Sequence, residues 1–184
     1  LSMNIEKNSL NEVIDLMKDN IGYCSLSTID KTNKIISKNN NQSFPFLSFC
    51  GFSVTKTGIP YFCLSKISKH TQNINNNNHA SIMINKFNFV ESKPEQNFNT
   101  IASSKRVTFS GKINKLIPDN KKDDYISIAN EYREEYLKKH PEAIWVDFPD
   151  FEFYRMDLIK DIYYIGGFKK ATKISVKKYF QKFI

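Results

Sequence analysis

Hydrophobic and polar positions alternate with a period of two over several short stretches of this chain, and with a helical period over fewer. Leu10, Val13, Ile14 and Met17 share one stripe at helical spacing, so residues 9–20 read as a helix, with Ser9 and Glu12 spaced as a capping box. IGYCSLSTI at 21–29 is small and β-branched and predicts a strand, followed by a polar loop over 30–43. FPFLSFCGFSVT at 44–55 predicts a second strand with Gly51 at a bulge. Lys56-Thr57-Gly58 reads as a hairpin turn and PYFCLS at 60–65 as the third strand. A short helix over 68–76 runs into the asparagine-rich turn NINNNN, and ASIMINKF at 80–87 is the fourth strand.

Beyond a loop at 88–99, residues 100–117 predict a long strand bent at Gly111. Residues 119–139 form the strongest helical pattern, with Asp119 as cap, Ile126, Ala129, Tyr132, Tyr136 and Leu137 as its stripe, and Pro141 as its stop. Residues 151–165 read as strand with a break near Asp157, closed by Gly166-Gly167, and 168–184 is a basic amphipathic tail of unassigned structure. No internal repeat is present. Strands at short spacing, joined by hairpin turns, argue against a parallel βαβ sheet. They favour a compact antiparallel barrel with peripheral helices, a mainly β, α+β chain forming one domain over 3–184 with its core at about 20–171. Leu1-Ser2 ahead of Met3 reads as a cloning remnant.

Composition sharpens this picture. The chain has 15 Phe, 9 Tyr and 1 Trp in 184 residues, which predicts an aromatic core and excludes wholesale disorder. With 27 basic against 19 acidic residues the net charge is +8, which suits an anionic partner, although most of the lysines read as solubilising residues of loops and the C-terminus. Only Arg106, Arg133 and Arg155 are arginines, and no basic helix carries interleaved stacking aromatics, so nucleic acid is not expected as a partner. Cys24, Cys50 and Cys63 are odd in number and lack a CxxC spacing, which points to free buried thiols in a reducing compartment. No apolar run approaches the ~18 residues of a membrane span. The first residues lack a signal-peptide pattern, so the expected location is cytoplasmic and away from membranes.

The common catalytic templates are absent, and the three histidines, His70, His79 and His140, are not spaced for a metal site. No catalytic residue or metal ligand is assigned, and any chemistry falls to a cofactor. Three segments bear on one. In YFCLSKISKHTQNI at 61–74, Ser68, Lys69, His70 and Thr71 open a helix just after Ser65. They read either as a phosphate cradle or as an ordinary N-cap with solvated neighbours. In SSKRVTFSG at 103–111, Arg106 either faces an anion or lies on an exposed strand face. The segment 140–157 gathers aromatics around Asp147, Asp150 and Arg155 and reads as an aromatic core with an Asp–Arg pair.

The succession of YCSLSTI, PFLS, SKISKHTQN, ASIMI, RVTFSG, KHPEA, FPDFEFYRMD and YIGGF over residues 20–171 resembles the pyridoxamine-phosphate-oxidase-like FMN-binding split barrels, and among them the haem-iron-utilisation (HugZ-type) subgroup. The resemblance implies a six-stranded antiparallel barrel, a homodimer, and FMN in a cleft at the dimer interface. By motif, Ser65, Ser68, Lys69 and His70 match the segment that holds the FMN phosphate, with Thr71 beside them. Arg106 matches a polar cofactor-contacting position. Ser48 stands where the oxidases carry a basic residue, and their pyridoxamine-phosphate substrate signature is not evident. The resemblance implies a flavin-dependent oxidoreductase-like protein. Its alternatives are a haem-binding or haem-degrading protein with haem in the same cleft, and a non-catalytic cofactor-binding protein. Haem-degrading members use a C-terminal histidine on the iron. This chain has none after His140, leaving Tyr163, Tyr164 or Tyr179 as substitutes, and GGFG is replaced by GGFK.

Overall fold

A computed structural model describes residues 2–19, 22–30, 43–86, 104–117, 125–168 and 171–184. Among the described residues six strands have six residues or more: β1 (Tyr23–Ile29), β2 (Pro45–Gly51), β4 (Pro60–Ser65), β5 (His79–Asn85), β6 (Arg106–Lys115) and β7 (Phe151–Ile165). Two short strands, β3 (Ser53–Val54) and β8 (Ala171–Ile174), join them in one antiparallel sheet. Helices α1 (Ser2–Lys18), α2 (Lys69–Asn76), α3 (Tyr125–Lys139) and α4 (Val176–Phe183) pack around it, with a 3-10 turn at Ile144–Asp147.

The sheet runs β2-β1-β5-β6-β7-β4-β3, with β8 beside β7. Its first and last strands are one piece of chain interrupted only at Phe52, whose N–H donates to the Gly22 carbonyl at 2.8 Å. Residues 45–51 therefore pair with β1 while 53–54 pair with β4, and this single bent segment closes the path into a split barrel. The expected strand 44–55 is thus two strands, broken at Phe52 rather than bulged at Gly51.

Alternation along β1, β5 and β6 sends Cys24, Leu26, Thr28, Ala80, Ile82, Ile84, Val107 and Phe109 inward. There they meet Phe52, Phe62 and Leu64 in the main core. PYFCLS is buried along both faces, because Tyr61 and Cys63 point the other way into a second cluster with Tyr136, Ala143 and Phe153. A strand covered on both sides loses its polar alternation, which is why this one reads as a plain apolar run. His140 ends α3 in that region. Its Nε2 shares a hydrogen bond with the Phe52 carbonyl at 2.9 Å, and its ring stacks on Tyr136 with centroids 4.4 Å apart.

Two further expectations need correction. The first helix starts before Ser9, which lies mid-helix and fully buried, so Ser9 and Glu12 do not cap its start. Strand β7 is unbroken at Asp157. The sequence irregularity there is a slip in its register with β6, and a second slip falls beside Gly111. A Cβ on Gly111 would lie 1.8 Å from the Leu158 carbonyl oxygen, so the close approach of the two strands requires glycine. The tail is ordered as β8 and α4, with Tyr179 and Phe183 in the core. The Thr55–Ile59 turn forms as expected, with Gly58 at φ +92°. Asp119 and the loop over 88–99 lie outside the described residues.

Candidate functional site

The chain leaves β4 at Ser65 and turns directly into α2, so five of the six residues marked by sequence are gathered at one corner. The Ser68 hydroxyl donates to the Ser65 carbonyl at 2.7 Å and lies 2.7 Å from the Thr71 hydroxyl. Ser65 donates to the Asp150 carboxylate at 2.5 Å. The Lys69 ammonium pairs with Asp30 at 2.8 Å and sits 5.0 Å from the centre of the Phe46 ring. The His70 Nδ1 is 3.1 Å from the Ser48 hydroxyl, and burial holds this imidazole below its ordinary pKa, in the neutral form. Ser68 precedes the first residue of α2 in extended conformation, but its side chain caps no backbone N–H of the helix. The corner is therefore tied together internally: Lys69 faces a largely buried carboxylate, Lys66 pairs with Glu152 at 3.3 Å, burial favours the neutral form of His70, and the Asp150 carboxylate adjoins Ser65.

Arg106 lies elsewhere. It opens β6 opposite Asn85, whereas α2 leads into His79 at the other end of β5. Six residues of strand separate these ends, about 20 Å. The Arg106 side chain donates to the Ser104 carbonyl at 3.1 Å. It stands in the outward column of β6 with Thr108, Ser110 and Lys112, since Val107, Phe109 and Ile113 point in.

That outward face is the second feature of the molecule. Ser25, Ser27, Ser81, Thr108 and Ser110 make its centre. Exposed apolar side chains border it: Leu47 (69%), Phe49 (68%) and Tyr23 on one side, Leu158 and Tyr163 on the other. Tyr23 and Phe49 stack with ring centroids 5.6 Å apart. A concavity of about 260 Å³ opens there, floored by Ala80, Ser81, Ser110 and Gly111, walled by Ile29 and Leu158, with His79, Lys112 and Lys160 at its edge. Among the described residues no carboxylate lines it.

Sequence reasoning missed this face. Its signal was present in the small polar residues alternating with core residues in YCSLST, ASIMI and RVTFSG, but only the register shows that they form one surface. Lys112 and Lys160 carried no motif, and Asp30 fell in a segment read as loop. Among the substitutes considered for an absent C-terminal histidine, Tyr164 and Tyr179 are core residues: the first donates to Glu12 and the second to the Gly58 carbonyl at 2.7 Å. Burial raises both phenols well above their ordinary pKa. Arg155 pairs with Asp157 at 2.5 Å, and Asp147 pairs with Arg133, so the expected Asp–Arg pair within 140–157 forms with Asp157 rather than Asp147 or Asp150. Among the described residues no helix is long and apolar enough to cross a membrane.

Comparison with known proteins adds the wider frame. The model of the family described as CREG, beta-barrel, matches residues 17–181. The chain is 28% identical over 130 residues to the non-canonical haem oxygenase HOZ, chloroplastic, of Arabidopsis thaliana, covering 71% of this chain and 34% of that protein. It thus spans about a third of the curated relative's length. A haem-binding protein from Mycobacterium smegmatis superposes with a TM-score of 0.68 at 20% identity, covering 94% of this chain and 60% of the other. A putative pyridoxamine 5'-phosphate oxidase from Listeria innocua superposes with a TM-score of 0.55 at 13% identity, covering 86% and 98%. At these identities the two structures establish the shared split-barrel fold.

Proposed function

The chain belongs to the CREG β-barrel family, and from that premise we propose that it binds haem on its outward sheet face, at the seam of a homodimer. The observation that carries this reading is the concavity on that face: a floor of small side chains, two apolar walls and two lysines at the edge, with no carboxylate among the described lining residues. A flat ring approaches closely only where side chains are short, and lysines at the rim match carboxylates at the ring's edge. The haem-related relatives named above support the same ligand. Haem, when bound, supplies a redox-active iron. The chain supplies the floor, the cations and the exclusion of water.

One concavity of about 260 Å³ covers part of such a ring. The rest is covered by a second copy, seated on Tyr23, Leu47, Phe49, Leu158 and Tyr163, whose exposure a single copy leaves unexplained.

FMN is the second reading, favoured by the clustering of Ser65, Ser68, Lys69, His70 and Thr71 in one turn. Against it stands the corner's charge: a phosphate there must compete with Asp30 for Lys69 and lie near Asp150.

Titration of the purified full chain with hemin and, separately, with FMN tests both. The haem reading expects a saturable Soret shift with quenching of Trp145 fluorescence, and sedimentation as a dimer that Leu47→Asp with Phe49→Asp dissociates. An unaltered hemin spectrum together with a tightly held yellow flavin overturns haem in favour of FMN. An unaltered spectrum with both ligands overturns both.

A further inference from the structure

We propose that His79 is the protein ligand to the haem iron and that Lys112 and Lys160 receive the propionates, an assignment that rests on the haem-binding reading above. The histidines separate cleanly in the fold. His140 is buried and committed to the Phe52 carbonyl. His70 is bonded to Ser48 at the α2 corner, on the side of β2 that faces the barrel interior. His79 alone of the three is exposed, and it lines the outward concavity.

Its setting suits a ligand. The His79 backbone N–H donates to the Asn77 side-chain oxygen at 3.1 Å, which fixes the start of β5. Among the described residues no hydrogen bond engages its imidazole, and the residue is exposed. An imidazole nitrogen is a good donor to iron.

The two lysines stand on the two strands beyond His79. Lys112 is the direct cross-strand partner of His79, and Leu158 is the partner of Lys112 on the next strand. Lys160 sits at the register slip beside Gly111, which leaves it without a partner residue on β6. Neighbouring strands are about 4.8 Å apart, so His79, Lys112 and Lys160 span about 10 Å across three strands.

The competing ligand is Tyr163. It is outward and exposed, but its β6 partner is Thr108. That position is four residues from Lys112, about 13 Å along the strand and outside the concavity.

The test uses the full chain with hemin as probe, read by optical absorption, electron paramagnetic resonance and equilibrium titration, with circular dichroism melting as a check on folding. The wild type is expected to show a histidine-ligated ferric haem. His79→Ala should lose that signature and bind hemin at least tenfold more weakly, and added imidazole should restore the signature. His79→Gln is the alternative variant should alanine disturb the strand. Lys112→Ala with Lys160→Ala should keep the signature but weaken binding several-fold. A His79→Ala spectrum identical to wild type, or a tyrosinate-type signature abolished by Tyr163→Phe, overturns the assignment while leaving haem binding intact. A wild type that does not alter the hemin spectrum overturns the haem reading and this assignment with it.

Discussion

Lys69 and Asp30 form an ion pair at 2.8 Å in which the carboxylate is nearly enclosed and the ammonium is partly open to solvent. Asp30 follows the last residue of β1 and Lys69 is the first of α2, so the pair fastens the helix to the barrel. Lys69→Ala leaves a buried carboxylate without this partner and is expected to cost about 1–2 kcal/mol, since the exposed lysine end screens part of the charge. Denaturant unfolding measures it. Pairing Lys69→Met with Asp30→Asn should recover much of the loss, because neither charge is then stranded. A single mutant as stable as wild type shows that the pair contributes nothing.

His70 gives the fold a dependence on pH. Burial lowers its pKa below the unfolded value of about 6.5. Between those two values the unfolded chain binds the extra proton, so stability rises with pH there. The contribution is complete above about pH 6.5 and is lost as pH falls through the folded pKa. Urea midpoints measured from pH 7.5 down to 5 should fall more steeply for wild type than for His70→Gln. Parallel curves remove His70 from this role.

Tyr179 ties the C-terminal helix to the β3–β4 turn through its bond to the Gly58 carbonyl. Tyr179→Phe removes one buried hydrogen bond and leaves the carbonyl unsatisfied, an expected loss of about 1–2 kcal/mol. Deleting residues 175–184 also strips Phe183 from the core and should cost more, by the several kcal/mol that large buried aromatics carry. Thermal melting of the two variants orders them. A deletion that melts with wild type shows that α4 adds no stability.

Much of the architecture was already written in local pattern. Seven-residue alternations such as YCSLSTI fix which side chains face inward, and PYFCLS occupies the strand assigned to it to the residue. Both arise from forces between near neighbours, the pleat and the burial of apolar side chains, which the order of residues states directly. The Ser65–Thr71 corner was legible for the same reason, being a single turn.

Other features depended on partners distant in the chain. The counter-ion of Lys69 lies 39 positions away at Asp30, and Phe52 interrupts a strand because its N–H is taken by Gly22. The tail is ordered because Tyr179 and Phe183 find a core to fill, which its own lysine-rich composition does not announce. Residue order by itself determined the alternation of this chain and hence its antiparallel sheet. Tertiary structure alone decided that β1, β5, β6 and β7 present Ser27, His79, Lys112 and Lys160 on one surface, because the register of strands far apart in the chain follows from the packing of the whole core and not from any one segment.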